Sequence, residues 1–220
     1  MTASAQDVCF VGSSRISMQL SHEIEMAARS DAKVLITGET GVGKDVVARL
    51  IHRSSARSHA PLSAINCAGL PDSLLESELF GHVRGSFTGA FRDKPGLLEV
   101  ADRGTAFLDE AGEMSMRMQG MLLRFLETGE VQRVGSERTA RHVNVRVIAA
   151  TNRDLVQQIG AGAFSRRPVL PAERHSHPCG SAARAPGRHP GAVRVLLRAL
   201  RSRSVGEEAG MDNHPHAAVV

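Results

Sequence analysis

The run Gly38-Glu39-Thr40-Gly41-Val42-Gly43-Lys44 has the G-x-x-x-x-G-K spacing of a phosphate-binding loop. Its glycines free the backbone to turn successive N–H groups into one concavity, and a helix opening at its end adds partial positive charge there. Lys44 would then reach the β- and γ-phosphates of a nucleoside triphosphate. Such loops usually continue with Ser or Thr, whose hydroxyl binds Mg2+; here Asp45 follows, so the metal needs another ligand. Asp109-Glu110, which closes the apolar run Thr105-Ala106-Phe107-Leu108, can supply it. At the carboxyl end of a parallel strand both carboxylates face the ligand crevice. Asp109 is placed to hold Mg2+, directly or through water, and Glu110 to polarise an attacking water as general base. The chemistry these residues can do together is binding and hydrolysis of ATP–Mg2+.

Such residues must be held by a rigid framework, and the pattern of the chain predicts one. Lys33–Thr37, Leu62–Asn66, Thr105–Leu108 and Val143–Ala150 read as short buried strands. Met18–Ala28, Asp45–His52, Asp72–Phe80 (with Asp72 as candidate N-cap) and Ser115–Glu127 read as helices. Strands and helices alternating at this length predict an α/β fold, a parallel sheet sandwiched by helices. Met114, Met116, Met118 and Met121, with Leu122, Leu123 and Leu126, could form an adaptable binding stripe; packing against the sheet is the favoured reading. Asn66 ends the second strand and Asn152 follows the fourth, where either could also cap a turn.

Composition bounds the rest. The 220 residues suffice for one sizeable α/β domain. No run is long and apolar enough to span a bilayer, and the N-terminus lacks the pattern of a signal peptide. Cys9, Cys67 and Cys179 are scattered without CxxC spacing, which fits reduced thiols and a cytoplasmic protein. The net charge of +4 is not evenly spread: residues 1–164 carry 18 basic and 19 acidic side chains, whereas 165–220 carry nine Arg against four acids, with six of the nine prolines. The break falls near Phe164.

Between the two acidic and phosphate motifs lies Gly85-Ser86-Phe87-Thr88-Gly89-Ala90. Two glycines let a tight tip form with Phe87 and Thr88 at its apex, and an exposed Phe there calls for a partner to cover it. The hexapeptide differs by one residue, Ser86 for Ala, from the GAFTGA loop of bacterial enhancer-binding proteins, AAA+ ATPases that activate sigma-54 RNA polymerase. Residues 10–164 resemble that family's ATPase domain, and an acid at Asp45 is part of the likeness. The resemblance implies a P-loop NTPase (AAA+) fold that binds ATP and Mg2+, with Asp109-Glu110 as a Walker B element. It implies that Asn66 restrains Glu110 until the partner engages, and that Asn152 acts as sensor I. The helix ending at Phe80-Gly81-His82 would act as a lever between nucleotide and loop, and Gln132–Ser136 would form a second exposed loop. Sigma-54 RNA polymerase is the implied partner, a self-associated ring the implied assembly.

After Phe164 the likeness stops. The family continues with an Arg-Xaa-Asp-Leu-Tyr-Tyr-Arg-Leu-Asn segment that supplies arginine fingers to a neighbouring subunit, then a helical lid; here Ser165-Arg166-Arg167-Pro168-Val169-Leu170 follows. Read one base out of frame, codons for this stretch admit Asp-Leu-Tyr-Tyr-Arg-Leu-Asn, so a frameshift is proposed. The chain then divides into an N-terminal extension (1–9), a partial AAA+ domain (10–164) and a basic Pro/Arg-rich tail (165–220). The tail is expected to be largely disordered, compatible with a short helix at Ala192–Leu200, and an Arg-rich nucleic-acid arm is its functional rival. Regulatory, lid and DNA-binding parts are not legible. Weak ATP binding, poor ring assembly and impaired hydrolysis are expected, whether the chain is an enzyme stays open, and a non-catalytic subunit or a generic P-loop ATPase is the alternative.

Overall fold

A computed structural model describes residues 15–137, 140–160, 162, 164 and 194–198. In chain order the elements are α1 (Arg15–Arg29), β1 (Lys33–Thr37), α2 (Lys44–Arg53), β2 (Leu62–Asn66), α3 (Asp72–Phe80), β3 (Gly81–His82), β4 (Lys94–Pro95) and α4 (Leu97–Val100). There follow β5 (Thr105–Asp109), a 3-10 turn (Ala111–Glu113), α5 (Met116–Thr128), β6 (Glu130–Val131), β7 (Arg141–His142), β8 (Arg146–Thr151), α6 (Leu155–Gly160) and β9 (Arg194–Arg198). The main sheet has the order β2-β5-β8-β1-β9, with the first four strands parallel.

Two apolar layers explain why these segments form a sandwich. Successive residues of a strand point to opposite faces, and here Val34 and Ile36 enter a cluster with Leu20, Ile24, Val47 and Ile51 of α1 and α2. Leu35 enters the other, with Leu75, Leu79, Leu98, Met118 and Leu122 of α3, α4 and α5. Met114 and Met118 are buried in that second layer and Met121 packs against it, so the methionine stripe is core; only Met116 of the four is exposed. Arg146, buried on β8, donates to the Ala27 and Ala32 carbonyls and so ties the end of α1 to the sheet.

Three expectations are corrected. Asp72 is not the cap of α3: Pro71 holds that position, and the Asp72 carboxylate accepts from Ser115 Oγ at 2.5 Å. The fourth strand begins at Arg146 rather than Val143, because the chain just before it pairs Arg141–His142 with β6 in a separate hairpin. The parallel sheet is as expected across β2, β5, β8 and β1, and one further strand joins its edge. Within the tail, Arg194–Arg198 is neither helix nor unstructured; it runs antiparallel to β1 over five register pairs from Lys33↔Arg198 to Thr37↔Arg194. The edge of β1 offers unpaired backbone groups, and this pairing overrides the helical pattern of the segment. The remaining expectations for residues 1–9 and for the rest of 165–220 lie outside the described residues.

Candidate nucleotide site and partner loop

The phosphate loop links β1 to α2. Gly41 and Gly43 sit at φ 83° and 89°, a left-handed region that L side chains rarely adopt. Gly43 stands at the N-cap of α2 with no side-chain cap, so first-turn N–H groups are left for a ligand. Lys44 opens α2 yet turns back into the loop: its Nζ donates to Gly38 O and Glu39 O, both at 3.1 Å, and meets Glu110 Oε1 at 3.4 Å. Its side chain is 5% exposed, that of Glu110 14%. An ammonium so placed is stabilised by a full set of acceptors.

Opposite, β5 ends at Asp109, and Glu110 follows in the left-handed region (φ 49°), unusual for a non-glycine. The Glu110 N–H donates to Asp109 Oδ1 at 3.0 Å. Glu110 Oε2 accepts from the Asn152 N–H at 3.2 Å, and Asn152 Nδ2 donates to Thr40 Oγ1 at 2.9 Å. Lys44, Glu110, Asn152 and Thr40 thus form one chain across the mouth of the cradle. Burial pushes the Asp109 carboxyl up from its ordinary value; the Glu110 N–H opposes this, the Glu110 charge adds to it, Lys44 opposes it and Asp45 adds to it. Asp45 is exposed in the first turn of α2.

Asn66 lies beside Asp109 in register, but its Oδ1 accepts from the Ala68 N–H at 2.8 Å. It caps the turn after β2, while the carboxylate of Glu110 is held by Lys44 and Asn152. Buried Cys67 next to it donates its N–H to Asp109 O; burial, and then the Asp109 charge, push its thiol up to about 12, which makes it an unreactive wall.

The residues present fit a nucleoside triphosphate with Mg2+. Left-handed glycines with open space at Gly41, an uncapped helix start, one buried lysine and two strand-end carboxylates are the donor and acceptor set such a group needs.

At its far end α3 runs into β3, which pairs antiparallel with β4 and makes the stem of a loop tipped by the hexapeptide. Gly85 N donates to Ala90 O at 2.8 Å and Ala90 N to Phe87 O at 3.0 Å, closing the tip. Phe87 is 44% exposed and rests edge-on against His82, centroids 5.0 Å apart at 67°. Buried His82 is fixed through Nδ1 by Ser77 Oγ at 2.7 Å. The second loop, Gln132–Ser136, is docked onto this stem: Val83 N donates to Val134 O and Val134 N to Gly81 O. Arg133 of this loop makes a two-pronged pair with Glu99 at 2.7 and 2.8 Å. Sequence reading missed the roles of His82, Glu99 and Arg133. His82 adjoins the hexapeptide, a usable signal; Glu99 and Arg133 are 34 residues apart and carry none.

A family model described as the sigma-54 interaction domain matches residues 10–168. The anaerobic nitric oxide reductase transcription regulator NorR of Serratia proteamaculans is 56% identical over 154 residues, covering 70% of this chain and 30% of the relative. That of Aeromonas hydrophila is 54% identical with the same coverage. The crystal structure of NtrX from Brucella abortus in complex with ADP is similar at a TM-score of 0.66 and 34% identity, covering 73% of this chain and 35% of that one. Its complex with ATP is similar at 0.63 and 36%, covering 71% and 35%. The chain spans about 30% of the length of the curated relatives it matches.

Proposed function

Because the chain belongs to the sigma-54 interaction domain family, we propose that it is the AAA+ module of a sigma-54-dependent transcriptional activator. It binds ATP–Mg2+ in the Gly38–Lys44 cradle and turns hydrolysis into movement of the Gly85–Ala90 loop against sigma-54 RNA polymerase. One observation carries this reading. Lys44 and Glu110 meet at 3.4 Å at one end of the sheet, and α3 leads from that end to a loop with an exposed Phe87.

When bound, ATP–Mg2+ supplies a phosphoanhydride whose cleavage releases the free energy to be used. The chain's own residues do the rest. Lys44 and the first-turn N–H groups of α2 would hold phosphate oxygens. Asp109, at the end of β5, would hold the metal. Glu110, which meets Lys44 at 3.4 Å, would accept the proton of an attacking water as general base. Asn152, bonded to both Thr40 and Glu110, would register whether the terminal phosphate is present; its two bonds across the cradle support this reading. Asn66 would restrain Glu110 only after releasing Ala68.

Neighbouring copies in a ring would complete the site in the cytoplasm. Residues 165–174 carry no match to the family's finger segment, so slow turnover is expected of this chain; an arginine supplied in trans is worth ~10³–10⁵ in rate. Steady-state phosphate release from the chain, and from one encoded with the reading frame shifted after Phe164, tests this part: equal turnover overturns it. Nucleotide titration of Lys44→Ala tests the core of the reading. Binding should fall at least about tenfold, since the lysine is the cradle's one buried cation among the described residues. Unchanged nucleotide affinity would overturn it.

A further inference from the structure

We propose that Phe91 is a second aromatic anchor for sigma-54, outside the hexapeptide and free at rest where Phe87 is held; this rests on the loop's proposed role above. Phe91 is 85% exposed, the most exposed of the large apolar side chains among the described residues. Its backbone is not loose. Ala90, 5% exposed, is pinned at both its N–H and its carbonyl, and the Phe91 N–H donates to Gly89 O at 2.9 Å. The backbone that carries the ring is therefore ordered, so part of the ordering cost is already met before any partner arrives.

A single exposed apolar residue is ordinary. Two phenylalanines on one loop tip, flanked by exposed Arg84 and Arg92, make an apolar centre with a charged rim, the anatomy of a contact patch. The two rings differ in readiness. Phe87 must leave His82, which Ser77 holds in place, before it can be fully covered. Phe91 has no ring partner among the described residues and can engage without rearrangement. The partner is the one that meets Phe87, because the two exposed rings stand four residues apart on the same hydrogen-bonded loop, Ala90 N donating to Phe87 O and Phe91 N to Gly89 O.

The full chain, with Phe87→Ala, Phe91→Ala and Phe91→Leu, is titrated onto immobilised sigma-54, and each variant is titrated with ATP in parallel. Phe91→Ala should weaken sigma-54 binding about tenfold, the usual size for a truncated aromatic anchor, with ATP affinity unchanged. Phe91→Leu should recover most of the loss. If Phe91→Ala binds like the parent while Phe87→Ala is weakened, Phe91 is no anchor and the loop's role stands. If the parent does not bind, or neither alanine variant is weakened, the loop's role itself fails and takes this inference with it.

Discussion

The phosphate cradle and the loop at the far end of α3 solve opposite problems. In the cradle the buried Lys44–Glu110 pair is answered internally: Lys44 has three acceptors, and both Glu110 oxygens have donors. At the loop, apolar surface is left to water, with Phe87 half covered and Phe91 bare. A buried charge cannot wait unpaired, because leaving it so costs several kcal/mol. An exposed ring can wait, at a cost of roughly 1.5–3 kcal/mol that a partner later returns. The cradle therefore rests closed and a ligand must exchange its bonds, whereas the loop rests open and a partner only adds to it.

The largest test of this contrast is Glu110→Gln. Loss of a general base should lower ATP turnover by ~10²–10⁴ while nucleotide binding persists, because the amide keeps an acceptor for Lys44 and the cradle can still close. Phosphate release and nucleotide titration measure the two separately. Turnover within tenfold of the parent would mean that Glu110 is a strut of the closed cradle and not its base.

Next in size is Gly135→Ala, which acts only at the loop end. A Cβ there would lie 2.5 Å from Ser86 Cβ and 3.2 Å from Ser86 Cα, at a φ of 75°. The second loop must lift off the first, at a cost of about 1–3 kcal/mol. Urea unfolding should report the loss, and limited proteolysis should cut within 83–91 sooner, with nucleotide affinity unchanged. If affinity falls as well, the two regions are coupled more tightly than the contrast allows.

The cradle was legible because its chemistry is local. A heptapeptide fixes the phosphate loop, and β1, β2 and α3 follow their periodicity to the residue. What was not legible is set by partners distant in sequence. The Asn66 amide is directed to Ala68 by a turn, Glu110 to Asn152 by the pairing of β5 with β8, and Glu110 to Lys44 by the pairing of β1 with β8. The Glu99–Arg133 pair joins α4 to a loop with no period to announce it. Arg194–Arg198 has a composition that suits a helix, and only the free edge of β1 makes it a strand.

pH should separate the sheet's two ends with smaller effects. His52, buried and bonded through Nδ1 to Thr105 Oγ1 at 2.9 Å, has its pKa pushed below 6.5, chiefly by burial. The folded state then binds this proton less readily than the unfolded chain, so its contribution is present above about 6.5 and is lost as pH falls below it. Asp109 runs the other way: its folded pKa lies above 3.8, so the folded state holds the proton more tightly. Its contribution is present at lower pH and is lost as pH rises from 3.8 through the raised value. His52→Gln should flatten melting temperature against pH on the mildly acid side. Asp109→Asn should flatten it at more acid pH and raise the melting temperature near neutrality. An unaltered profile in either variant would show that the group is solvated in both states.

The smallest effect expected is also the sharpest test of how dry the loop stem is. Ser86 Oγ is buried with no hydrogen-bond partner among the described residues, while its Cβ side packs against Gly135. Family resemblance places Ala at this position, and an alanine keeps the Cβ contact while discarding the stranded hydroxyl. An unsatisfied buried hydroxyl costs about 1–3 kcal/mol of desolvation, so Ser86→Ala should stabilise the fold by up to roughly 1 kcal/mol once lost packing is deducted. Two-state urea unfolding resolves a shift of that size. A destabilised variant would mean that water reaches the hydroxyl, that the two loops are not in dry contact, and that Phe87 is freer to leave His82 than its resting place suggests.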